Sequence, residues 1–128
     1  MIRLTDITPN FRHVRLLRAR EKSRPVGAAD EGYDLLVPLD EDGYLHLDDW
    51  KSHRGFCRVR RFARGGEERV GVLQHAPDGQ WFFDYEAGED DDEIGFRLGE
   101  EQFVTGEYVS IWHDDVMRTY QVARVEKP

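Results

Sequence analysis

The sequence predicts an all-β, mainly antiparallel domain: a small barrel or rolled meander of roughly six to eight strands, with one short helix near residues 48–54. Three observations predict it. From residue 56 onward apolar residues recur at every second position, turn residues interrupt that pattern at short intervals, and helical periodicity is nearly absent. A meander of this length must dispose of its edge strands, and rolling into a barrel is the economical way to do so.

The elements follow in chain order. "FRHVRLLRAR" (11–20) alternates Val14 and Leu16 with Arg15; Leu17 breaks the alternation, so an Arg-faced helix competes with the favoured strand. "EKSRPVGAADEG" (21–32), with Pro, two Gly and small residues, is expected to be a mobile loop. "YDLLVPL" (33–39) is a strand ending at Pro38. "LDDWKSHRG" (47–55) is the helix: Asp48 or Asp49 caps its first amides, Trp50 anchors it to the core, Arg54 suits its C-terminal dipole and Gly55 ends it.

"FCRVRRFA" (56–63) and "RVGVLQHA" (69–76) form a hairpin around Gly65-Gly66. "APDGQ" turns the chain into "WFFDYE" (81–86), where Trp81, Phe83 and Tyr85 share a face. After the acidic run 89–93, read as a solvated hairpin turn, "IGFRLG" (94–99) puts Ile94, Phe96 and Leu98 on one side. "EYVSIWH" (107–113) alternates Val109 and Ile111 with Tyr108, Ser110 and Trp112; "MRTYQVARV" (117–125), with Tyr120 and Val122 on one face, closes the meander. No linker or clear repeat divides the 128 residues, which are expected to form a single β-rich domain.

Composition narrows the classes of function. Hydrophobic residues make up 39% and charged residues 34%, the profile of a soluble globular chain. "MIRLTDITPNFRHVRLLRAR" has no apolar leader, and no run of apolar residues is long enough to span a bilayer, so the expected location is the cytoplasm, with no membrane partner. Cys57 is the single cysteine, which excludes an intrachain disulfide. The bias towards Arg over Lys fits a high-GC bacterial genome. A net charge of −8 opposes general attraction to phosphate backbones, but the charges are segregated. Basic residues crowd positions 12–24 and 58–64, and carboxylates crowd 84–115. Neutralisation across strand pairs is the plain explanation, and a basic face kept for an anionic partner the sharper one.

Metal-ligand spacing is tested first in the acidic run. An EF-hand register starting at Asp90 supplies Asp92 at position 3, Gly95 at 6 and Glu101 at 12, but Ile94 holds position 5 and the flanks read as strands. Asp90, Asp92 and Glu101 are therefore weak candidates, and no metal or other cofactor is expected. Starting at Pro38, the register of Asp40, Asp42, Gly43 and Asp49 lacks its first ligand and reads as a turn. Nor do the histidines form a zincin pair, and CxxC, Walker A, GxGxxG and GxSxG are missing. Cys57 reads as a small buried strand residue.

"FCRVRRFAR" is the most distinctive stretch. Alternation places Phe56, Arg58, Arg60 and Phe62 on one face and Cys57, Val59, Arg61 and Ala63 on the other. With the second face inward, guanidinium groups stand between aromatic rings, an arrangement able to grip phosphates and stack on bases; the plainer alternative packs Phe56 and Phe62 into the barrel ends and pairs the arginines with carboxylates on neighbouring strands. Arg58, Arg60, Phe62 and Trp112 are the candidate ligand- or partner-binding residues; no catalytic residue can be named.

"GYDLLVPLDEDG", "DDWKSHRGFCRVRRF", "DDDEIGFRLG" and "GEYVSIWHDD" resemble a family of short conserved bacterial proteins of unknown function, mainly alphaproteobacterial, over roughly residues 31–125. The resemblance implies no activity, ligand or residue role. Since no catalytic constellation survives these spacing tests, the favoured expectation is a non-enzymatic small β-barrel that binds a protein or anionic partner. The alternative is an enzyme or metal-dependent activity whose residues converge only in the fold. Nucleic-acid binding through strand 56–64 is third, disfavoured by the net charge.

Overall fold

The computed structural model of the chain describes residues 7–19, 28–63, 65–66, 68–85, 93–95, 98–113 and 116–128. The described residues form eight strands: β1 (Phe11–Arg18), β2 (Ala28–Pro38), β3 (Arg58–Phe62), β4 (Glu68–His75), β5 (Trp81–Tyr85), β6 (Glu93–Gly95), β7 (Tyr108–His113) and β8 (Val116–Glu126). Each strand pairs antiparallel with the next, and β1 also pairs with β8, so the all-β meander closes into a barrel. Closure removes the exposed edges that an open meander would leave.

Residues 11–18 are strand, not helix. Val14 and Leu16 are buried, with Leu35 and Tyr33 as their rung partners, and a register shift at Leu17/Arg18 accommodates the break in alternation at Leu17. The expected mobile loop over 21–32 is corrected in its second half, because Ala28 to Gly32 belong to β2; residues 20–27 lie outside the described residues. Of the expected strand over 94–99, Phe96 and Arg97 lie outside the described residues, and Leu98 and Gly99 are not strand. β6 covers Glu93–Gly95, and the buried Leu98 begins a separate 3-10 turn, Leu98–Glu100. Among the described residues, Ile94 opposite Trp112 is the register pair of β6 with β7.

Alternation along the strands supplies the core. Val59, Leu73, Phe83, Val109, Ile111 and Val122 are buried on the inner face together with Tyr33 and Tyr120. Burying each of the larger aliphatic or aromatic side chains contributes roughly 1.5–3 kcal/mol. Gly71 marks a close strand approach: a Cβ there would collide with the Asp84 carbonyl.

One end of the barrel is plugged by the only α-helix among the described residues, α1 (Leu47–Ser52). The expected cap is corrected. His46 occupies the N-cap and its Nδ1 accepts from the Asp49 amide at 3.2 Å, while the Asp49 carboxylate accepts from Thr8 Oγ1 and Asn10 Nδ2, both at 2.8 Å. Asp49 thus ties the segment before β1 to the helix. Trp50 enters the core, where its Nε1 donates to the Leu73 carbonyl at 2.8 Å and its ring meets Trp81 edge-on at 5.3 Å. Gly55 does not end the helix directly; the chain leaves α1 at His53 and makes a 3-10 turn over Arg54–Phe56 before β3. No helix among the described residues is long and apolar enough to cross a membrane.

Candidate functional site

The outer face of β1 to β4 carries the two arginines singled out in the sequence. Antiparallel register places Arg15, Asp34, Arg60 and Val70 in one row across the four strands, and His13, Leu36, Arg58 and Val72 in the next. Both rows face outward because their neighbours Val14, Leu35, Val59 and Gly71 are buried inside. The rows border an open groove of about 620 Å³ whose lining includes His13, Leu36, Arg58, Arg60 and Val70.

Charge within the groove is unevenly compensated. Asp34, mostly buried, accepts from Arg60 Nη1 at 2.6 Å and from Arg15 Nη1 at 3.2 Å. Arg60 also donates through Nε to Glu68. The Glu68 hydrogen bond leads in raising the Arg60 pKa, burial opposes it and Asp34 adds to it, so Arg60 is a fixed cation held by two carboxylates. Arg58, one row away, is exposed and forms no hydrogen bond or ion pair with any described residue. It stands between Leu36 and Val72, its rung partners, with the exposed Val70 two positions from Val72 on the same face. A cation bordered by apolar side chains suits a ligand that brings both a carboxylate and hydrophobic contact.

Phe62 follows the plainer of the two sequence readings and not the base-stacking one. It is buried, with the Arg15 guanidinium 4.6 Å and the Arg60 guanidinium 5.4 Å from its ring centroid. The ring is thus covered by arginines of its own barrel and is not an open platform for a base. Phe56 lies in the 3-10 turn and packs against the core, so the Phe-Arg-Arg-Phe stripe does not form as one exposed strand face. Trp112 is on β7, four strands from β3 in either direction around the barrel, so it does not join Arg58 and Arg60. Arg15 was missed as a member of this face because its contact with Asp34 and Phe62 depends on strand pairing.

Of the weak metal candidates only Glu101 is among the described residues. Asp90 and Asp92 lie outside them, and the described His, Cys, Asp and Glu residues form no group of three able to hold an ion. Glu101 is half-buried; burial is the main reason its pKa is raised, a hydrogen bond from the Ser110 backbone opposes this and Glu100 adds to it. Cys57 is fully buried, its Sγ 3.4 Å from the His53 carbonyl, and burial, aided by Asp49, pushes its thiol up to about 12. A thiol so protonated is a packing group and a poor nucleophile.

The inner face at the end opposite α1 holds a second charged cluster, one that strand-by-strand reading does not bring together. Arg18 is 8% exposed, pairs with Glu31 at 3.2 Å and lies 5.8 Å from the Tyr120 ring. Arg61 and Arg69 continue the inward rows of β3 and β4, and Arg118 continues that of β8. Comparison of the chain with protein-family models, curated proteins and solved structures finds no match.

Proposed function

We propose that the protein is a non-enzymatic barrel module that docks an acidic, extended segment of a partner protein in the groove across β1 to β4. The observation that supports this reading is Arg58, an outward cation without an ion pair among the described residues, set between Leu36 and Val72. An extended segment alternates its side chains, so a carboxylate can meet Arg58 while the residues two positions away rest on Leu36 and Val70. Asp34 does not repel such a segment strongly, because Arg15 and Arg60 already neutralise it. Nucleic acid is less well suited, since Phe62 is buried and the chain carries a net charge of −8.

The test is an amide NMR titration of the labelled protein with a peptide of alternating Glu and Leu, and separately with single-stranded DNA. The reading expects saturable shifts at Leu36, Arg58 and Val70 with the peptide, weakened by added salt and abolished by Arg58→Glu. Shifts with DNA alone, or peptide shifts that Arg58→Glu leaves unchanged, would overturn it.

A further inference from the structure

The groove across β1 to β4 has a rim that the docking contacts above leave unused. Followed past Leu36, the row of Arg58 reaches β1 at His13, so one cross-strand row reads His13, Leu36, Arg58, Val72. Adjacent strands lie about 4.8 Å apart, which sets the His13 and Arg58 backbones roughly 10 Å from one another with the apolar Leu36 between them. His13 lines the groove, its side chain is 52% exposed, and it forms no hydrogen bond with any described residue.

The charges around the ring are committed elsewhere. On β2 the Asp34 Oδ1 stands 4.0 Å from His13 Nε2, too far for a hydrogen bond, and Asp34 instead accepts from Arg60 at 2.6 Å and Arg15 at 3.2 Å. On β8 the rung partner of His13 is the exposed Glu126, which lies 4.0 Å from Arg124. On β1 itself Arg15 shares the outer face with His13, and it stands opposite Arg124. Each carboxylate beside the ring is thus shared with an arginine, and neither is bonded to the imidazole. A side chain so exposed adds little to packing. Imidazole is also the side chain that gains charge between about pH 8 and pH 5, so a protonated His13 gives the groove a second outward cation, one apolar step beyond Arg58.

We propose that His13 is the second anion contact of this groove, taking a carboxylate four positions along the docked segment from the one that meets Arg58, so that docking tightens as the imidazole takes up a proton. The inference rests on the docking reading above and adds to it a spacing and a pH response. Residues two positions apart in an extended segment share a face, so the pattern acid on Arg58, apolar on Leu36, acid on His13 is written at every second residue. The sign follows from linkage: a segment that prefers the protonated ring draws a proton onto it, and affinity climbs as pH falls from about 8 to about 6. Carboxylates of the segment stay ionised across that window. An ion pair this exposed supports an increase of about fivefold.

The test is an amide NMR titration with the end-capped peptide Leu-Ser-Glu-Ser-Leu-Ser-Glu at pH 8 and pH 6, alongside the same peptide ending in Gln. Affinity for the first peptide should rise about fivefold between the two pH values, with shifts at His13 as well as Leu36 and Arg58. The Gln peptide and the His13→Gln variant should show no rise, whereas His13→Lys should bind the first peptide at both pH values about as tightly as the parent does at pH 6. Neither substitution opens a cavity, because the side chain is exposed. Equal affinity at the two pH values, a rise that persists in His13→Gln or with the Gln peptide, or His13→Lys no tighter than His13→Gln would overturn the proposal. If Arg58→Glu abolishes binding in those cases, the docking reading stands without it. Absence of Arg58-dependent binding at both pH values would overturn the two together.

Discussion

The two ends of the barrel solve the same geometric problem in opposite ways. At one end α1 lays Trp50 across Trp81 and His75, with the indole nitrogen satisfied by the Leu73 carbonyl, so apolar area and hydrogen bonding reinforce one another. At the other, the same inward rows end in Arg18, Arg61, Arg69 and Arg118, next to the buried Leu16, Tyr33, Ile111 and Tyr120. The lesson is a division of labour. The plugged end fills its interior with aromatic rings, while the other end, the mouth, gives up packing for charge.

That contrast can be broken from either side. The largest effect belongs to Trp50→Ala, which empties the plug and orphans the Leu73 carbonyl; a loss of about 3–5 kcal/mol is expected in urea unfolding. A loss below about 1 kcal/mol would show that the helix is an ornament on a self-sufficient barrel. Next comes Gly71→Ala, between the two ends. Its added methyl meets the Asp84 backbone, which cannot rotate away, and about 1–3 kcal/mol should be lost in the same measurement.

Acidification should weaken the plugged end selectively. Burial disfavours the Asp49 carboxylate, but the hydrogen bonds from Asn10 and Thr8, with His46 and His53 nearby, outweigh it and hold its pKa below the ordinary value of 3.8. A carboxylate depressed in the folded state contributes stability that is present above its unfolded pKa and is lost as pH falls through the folded one. Hydrogen exchange of the α1 amides should therefore accelerate below about pH 4, and Asp49→Asn should flatten that acid limb. The smallest expected effect sharpens the comparison at the mouth: Arg118→Leu should leave thermal stability unchanged or raise it by about 0.5–1 kcal/mol, since it replaces a half-buried charge with apolar surface. A large loss there would make Arg118 a structural residue.

Much of the fold was legible because strand alternation is a local property. The inward positions of Val109, Ile111 and Tyr120 follow from parity, whereas in 56–63 parity groups Arg58 with Arg60 and Cys57 with Val59 without deciding which group faces out. Segment boundaries were harder. The strand expected to reach residue 99 gives way to a 3-10 turn by Leu98, and β2 includes residues of a stretch whose Gly, Ala and Pro content reads as loop. In both places pairing with a neighbouring strand, not composition, decides where the ladder runs.

The candidate site was legible only in part. Arg58 and Arg60 lie together on the groove, but the fate of Phe62 depends on Arg15, forty-seven positions earlier in the chain by their residue numbers, and Trp112 stands across the barrel from both arginines. The mouth was invisible as a unit, since its four arginines belong to three separated segments of sequence.

By itself, then, the sequence determined which side chains face in and which face out, because that choice repeats every two residues along each strand. Only the tertiary structure decided which inward residues meet, because strand register and the closure of β1 onto β8 set cross-strand neighbours over distances that no local pattern encodes.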